Sequence, residues 1–175
     1  MNTDSNRVDK RNAGILRLIR GRAEYTASLA TGGKTKLFEL HTQLEKDTAP
    51  IGDLPLNRVL LMNNACFPWV ILVPRRESVS ELFQLTQQDQ QQMMLEISEV
   101  SAALAAHYRA DKINVAALGN IVSQLHVHII ARYQSDPAWP KPVWGSEARL
   151  YTDEMLAETI EQLRELLRID GLSPA

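Results

Sequence analysis

Gln124-Leu125-His126-Val127-His128-Ile129-Ile130 sets two of the chain's four histidines one residue apart inside an apolar, β-branched run. Side chains along a strand alternate between faces, so as a strand this stretch projects Gln124, His126 and His128 to one side and Leu125, Val127 and Ile129 to the other. A polar row is then backed by a core-facing row. One histidine in such a run is ordinarily a hydrogen-bonded structural residue, whereas two in register with an amide ask for chemistry. Neutral imidazole is a competent nucleophile toward phosphorus near pH 7, because its unperturbed pKa of about 6.5 leaves much of it unprotonated. The His-x-His spacing also suits a metal ion, with His41, His107 or a carboxylate as third ligand. No further signature supports that reading, and no metal is expected.

Around the motif the chain alternates short strands with two long helical patterns. Arg58 to Met62 and Trp69 to Pro74 are apolar runs of strand length joined by the turn-like Asn63-Asn64-Ala65-Cys66-Phe67-Pro68, which predicts an antiparallel hairpin. Lys112 to Ala117 and Gln124 to Tyr133 read as two more strands joined through Gly119, again close enough to pair antiparallel. Between the pairs, Ser78 to Leu85 reads as a short helix. Thr86 caps a longer one, with Asp89 near its positive end and a core stripe of Met93, Met94, Ile97, Val100 and Leu104. Leu37 to His41 reads as a short strand or the lead-in to one, and Asp47 to Pro55, with two prolines and Gly52, as a loop. After the motif, three prolines between Asp136 and Gly145 exclude a strand and leave a loop with Trp139 and Trp144 as anchors. Thr152 then caps a last helix with the stripe Met155, Leu156, Ile160, Leu163 and Leu167. The pattern predicts an α+β fold, an antiparallel β-sheet with a long packed helix.

With 175 residues and 45% hydrophobic content, the chain suffices for one sizeable core. One domain is expected over residues 37–175, preceded by a basic N-terminal extension, residues 1–36, in which Gly32-Gly33 favours poor order. That extension holds eight basic and three acidic side chains, net +5, against 11 basic and 18 acidic, net −7, in the rest. The acidic balance of the main domain excludes a general nucleic-acid binder. The segment Ile15 to Arg22 can be a short amphipathic helix, a basic tether or a presequence-like stretch. No run approaches the roughly 20 apolar residues needed to span a bilayer, so a soluble, cytoplasmic protein is expected, without membrane partners. The single Cys66 excludes an intrachain disulfide and reads as a packing residue.

The motif resembles the signature of the histidine-triad nucleotide hydrolases and transferases, His-x-His-x-His followed by two apolar residues, with Gln124 in place of the first His. The neighbourhood adds to the resemblance: Asn114, the turn Gly119-Asn120, Arg132, and the strand Phe67 to Arg75 ending in Val-Pro-basic. It spans roughly residues 37 to 145. The resemblance implies that His126 attacks the α-phosphate of a nucleotide and forms a nucleotidyl-histidine. His128 then donates to phosphate oxygens, and Gln124 holds the site without carrying a proton. Substrates of the dinucleoside polyphosphate or nucleoside phosphoramidate type follow, with no cofactor beyond Mg²⁺ brought by the substrate. A nucleotide-binding module with weak or lost catalysis is the alternative. Asn114, Gly119 and Asn120 are expected at the ribose and phosphates, and Asn63 or Asn64 at the ribose, with turn chemistry as an equal explanation for that pair. Trp144 is expected at a base-binding wall or a subunit contact. Ile121 stands where many members have Ser or Thr near the leaving group, and strand parity turns Ser123 away from His126. By resemblance the protein is also expected to be a homodimer.

Overall fold

The structure, a computed structural model, describes residues 38–169 and 171, so the N-terminal extension lies outside the described residues. Five strands form one antiparallel sheet: β1 (Thr48–Asp53), β2 (Asn57–Met62), β3 (Trp69–Pro74), β4 (Lys112–Ala116) and β5 (Val127–Arg132), in the order β1-β2-β3-β5-β4. Among the described residues three helices flank it: α1 (Thr42–Asp47), α2 (Gln87–Tyr108) and α3 (Asp153–Leu167). The predicted hairpin is β2 and β3, paired from Asn57 opposite Pro74 to Leu61 opposite Val70. No helix among the described residues is long and apolar enough to cross a membrane.

Every residue of β3 and β5 is buried, and register fixes which face each one uses. Trp69 lies opposite Ile130 and Ile71 opposite His128. On the other side of β5, Asn114 faces Ile130 and Ala116 faces His128. Directly opposed residues share a face. His128, Ile130, Arg132, Trp69, Ile71 and Asn114 therefore project to one side, where Leu44 of α1, Leu60, Phe67, Val122, Ala138 and Val143 complete an apolar cluster. The opposite face carries Val70, Leu72, Val127 and Ile129 and receives α2, whose Met93, Ile97, Val100 and Leu104 are buried. Met94, expected in that stripe, is 61% exposed. It follows Met93 by about 100° around the helix, and the two cannot both face the sheet.

Helix α2 starts where Thr86 Oγ1 accepts the Asp89 N–H at 3.1 Å and ends at Arg109 in the left-handed region. Its fully buried Glu96 fastens it to the turn between β1 and β2. The carboxylate accepts from the backbone N–H of Leu56 at 2.8 Å and of Asn57 at 3.1 Å, from Asn57 Nδ2 at 2.6 Å and from Gln92 Nε2 at 2.9 Å. Burial pushes the Glu96 pKa up, and these four donors pull against it.

Several local expectations are corrected. The Asp47 to Pro55 segment is mostly strand, not loop, because β1 is an edge strand, where a proline such as exposed Pro50 deprives no inner ladder. Its pairing with β2 shifts between Pro50 and Gly52, a bulge that absorbs the irregular sequence. Phe38 to His41 has no regular structure; His41 Nδ1 accepts the Gln43 N–H at 3.1 Å and caps α1 instead. The helix expected from Ser78 shrinks to one 3₁₀ turn, Leu82–Gln84, since Ser78 has φ +55° and Glu81 and Leu85 are extended. Residues 121–126 are not strand; Leu125 donates its N–H to Val79 O at 2.9 Å, outside the ladder. The last helix is capped by Thr152 as expected, with Leu163 and Leu167 buried and Met155 exposed.

The bulged edge is closed by the C-terminal segment. Asp53 N–H donates to Gly171 O at 2.9 Å, and Arg164 Nε of α3 donates to Ile51 O at 2.7 Å. A Cβ on Gly52 would run into Ile169 Cγ2 and stand 2.7 Å from Gly171 O. Gly52→Ala is expected to destabilise the fold by about 1–3 kcal/mol through overpacking. Urea denaturation checks this, and parental stability would mean that the C-terminal segment yields at no cost.

Candidate active site

His126 immediately precedes β5 and His128 is its second residue, and both are buried, 7% and 5% exposed. Their centroids are 4.8 Å apart at 76°, so the rings meet edge to face. Each is held at Nδ1. His126 Nδ1 lies 2.7 Å from the backbone oxygen of Gln124, and His128 Nδ1 accepts the indole N–H of Trp69 at 3.0 Å. Burial first, and the His126 charge second, push the His128 pKa down to about 3. His128 is therefore neutral throughout the ordinary working range of an enzyme.

Gln124 takes part in two different ways. Its main-chain carbonyl faces His126, while its side chain reaches the segment before α1: Oε1 accepts the His41 N–H at 2.9 Å and Nε2 donates to Glu39 O at 3.0 Å. One amide thus pairs with the peptide backbone as a neighbouring strand would. Beside this tether a polar groove of about 580 Å³ is lined by His41, Thr42, Ser78, Ser80, Ser123 and Gln124, among others. Ser123 is exposed to that groove, in a segment that is not strand, so strand parity does not set its direction. Ile121 is 92% exposed and offers no hydroxyl to the site.

Asn114 shares the His128 face but sits one rung along, where its Oδ1 accepts from Arg132 Nη1 at 2.8 Å. Arg132 itself is 1% exposed. It forks onto Asp136 through Nε at 2.7 Å and Nη2 at 2.9 Å, and Nη2 also reaches Lys141 O at 3.0 Å. The guanidinium lies over the rings of Phe67 and Trp139. These bonds anchor the loop that brings Trp144 edge-on to His128 at 5.2 Å and to Trp69 at 5.6 Å. Gly119, φ +70°, and exposed Asn120 lie in the loop between β4 and the motif. Asn63 and Asn64 are engaged by backbone: Asn63 Oδ1 accepts from Tyr151 N–H, and Asn64 Oδ1 from Cys66 N–H and Arg149 N–H. Sequence reading missed Trp69, 59 residues before its imidazole partner; its one signal is that strand parity places it on the motif's face.

A domain model described as the HIT domain matches residues 43–135, more than half of the chain. The protein belongs to the histidine triad family. Histidine triad proteins of known structure agree with this fold. One from Sinorhizobium meliloti 1021 is 46% identical, with 73% of this chain and 96% of that one covered and a TM-score of 0.71. Others from Bradyrhizobium japonicum and Marinobacter aquaeolei VT8 are also 46% identical. Each covers 76% of this chain, with 97% and 98% of their own lengths and TM-scores of 0.70 and 0.74. None of the curated proteins is a significant match. As a histidine triad protein the chain carries a nucleotide-related function, in a motif whose first position is Gln124.

The tether defines an expected result. Gln124→Leu removes the partner of the His41 N–H and Glu39 O while the carbonyl at 124 persists; both bonds are exposed and water takes the place of the amide, so stability should fall by only about 0.5–1.5 kcal/mol. Turnover should change by no more than about tenfold, ~1.4 kcal/mol of barrier. Paired urea denaturation and single-turnover assays check both. A collapse in rate at unchanged stability would give the side chain a chemical role.

Proposed function

We propose that the protein is a nucleotide hydrolase or nucleotidyl transferase that works at an α-phosphate through a nucleotidyl-His126 intermediate. The observation carrying this reading is the contact between His126 Nδ1 and Gln124 O. A carbonyl only accepts, so Nδ1 holds the proton and Nε2 holds the lone pair. In the first step Nε2 donates that pair to the α-phosphorus. The bond from phosphorus to the leaving oxygen or nitrogen breaks, its electrons depart with the leaving group, and solvent supplies a proton. The charge left on the His126 ring is stabilised by the Gln124 carbonyl, in a bond that strengthens as the ring becomes cationic. Water or another acceptor then attacks phosphorus, the P–N bond returns its electrons to Nε2, and the attacking group loses its proton to solvent.

His128, neutral and on the same face, donates to the phosphate oxygens. No cofactor is assigned, and Mg²⁺ enters only with the substrate. Dinucleoside polyphosphates and nucleoside phosphoramidates both present the required α-phosphate. Mass spectrometry of protein trapped with a panel of these substrates tests the reading, and a nucleotidyl mass on a His126 peptide is the expected result. Tight nucleotide binding with no adduct and no turnover would establish the binding-module alternative, which the absence of a hydroxyl at Ile121 keeps in view. The outer edge of β4, unpaired among the described residues and with Val115, Leu118 and Ile121 exposed beside it, supports a homodimer. Sedimentation equilibrium tests that state.

A further inference from the structure

We infer that Trp69 is a positioning residue that fixes His128 in the tautomer with its proton on Nε2, giving the two motif rings opposite chemical polarity. An indole N–H donates and never accepts, so the imidazole nitrogen that meets it at 3.0 Å must be a lone pair. In a neutral ring the single proton then sits on Nε2. His126 is the mirror case, since its Nδ1 meets a carbonyl at 2.7 Å and keeps its proton there. At their Nε2 atoms, His126 presents a lone pair and His128 presents an N–H donor. A phosphoryl group needs both, one to bond to phosphorus and one to hold an oxygen.

The indole has no room to release its partner. Trp69 is 3% exposed on a fully buried strand, with Trp144 standing edge-on to both it and His128. A buried indole always seeks an acceptor, and many folds give it a backbone oxygen. Here the acceptor is a motif imidazole, so satisfying the indole also sets a tautomer. The catalytic meaning of this lock rests on the proposed reaction; the tautomer does not.

Long-range ¹H–¹⁵N correlation of the imidazole nitrogens in the full chain at neutral pH reads tautomers directly. His128 should appear as the Nε2–H form and His126 as the Nδ1–H form. Trp69→Phe removes the donor and keeps an aromatic ring, and His128 should then move to a mixture of tautomers while His126 is unchanged. Its nucleotidylation rate with a dinucleoside polyphosphate should fall about 10- to 100-fold, with KM held within about threefold. Trp144→Phe, which alters edge packing without touching the hydrogen bond, should leave both tautomers as in wild type. An Nδ1–H form of His128 in wild type would overturn the inference without any variant having to fold. An unchanged His128 spectrum in Trp69→Phe would overturn it as well. The stated tautomers in a protein that transfers no nucleotidyl group would uphold the lock and overturn the reaction.

Discussion

His126→Ala is expected to lower turnover about 10⁴-fold or more, because it deletes the atom that the proposed reaction joins to phosphorus. His128→Ala should retain nucleotide binding and a residual rate, since losing one donor at a developing charge costs about 10²- to 10³-fold. The comparison is made by single-turnover assay, with near-ultraviolet circular dichroism confirming that each variant is folded. Near-normal turnover in His126→Ala would remove the covalent mechanism. Equal and total losses in both variants would show that the rings act as one unit, as tightly coupled catalytic groups do.

Arg132→Leu is expected to cost about 3–5 kcal/mol of stability, the usual penalty when one partner of a buried ion pair is removed and the other is left charged. Asp136, whose side chain is 3% exposed, is the group left behind. Hydrogen bonding from Arg132 holds its carboxyl below the ordinary carboxylate range. The sign follows from that direction. The folded pKa lies under the unfolded value, so the pair contributes stability at neutral pH and loses it as pH falls below the ordinary carboxylate pKa of about 4. Wild type and Arg132→Leu should therefore converge in stability on acidification. Urea midpoints between pH 7 and pH 3 check this, and a gap constant over that range would mean that packing on Phe67 and Trp139 is the main contribution. The variant should also weaken activity, because the loop carrying Trp144 loses its anchor.

The elements that could be read from the sequence are those whose signal is local. The β2–β3 hairpin, the α2 cap at Thr86 and the α3 cap at Thr152 each follow from a few adjacent residues. The histidine pair was legible from its one-residue spacing, and the two rings do meet at 4.8 Å, although His126 precedes the strand and alternation does not place it. What could not be read depends on distant partners. Pro50 and Gly52 look like loop residues until their strand is seen to lie at the sheet edge, with the C-terminal segment against the bulge. Glu96 looks like a solvated helix residue, yet it is fully buried because two backbone N–H groups 39 and 40 residues away claim it. Within the site, the identity of Gln124 was legible and its direction was not. Strand parity aimed its side chain alongside His126, but the strand begins only at Val127.

The division of labour at Gln124 bears on how this motif can vary. A main-chain carbonyl is supplied by every amino acid, so the partner of His126 survives any replacement at 124 that preserves the local backbone. The side chain is engaged in architecture, stapling the peptide units of Glu39 and His41 across 85 and 83 positions of sequence. An imidazole, with one donor and one acceptor on a rigid five-membered ring, does not reproduce the side-by-side geometry of an amide against an extended chain. Exchange between Gln and His at this position thus trades a proton carrier for a clasp. His126 keeps its carbonyl partner, and what changes is how firmly the segment before α1 is held beside it.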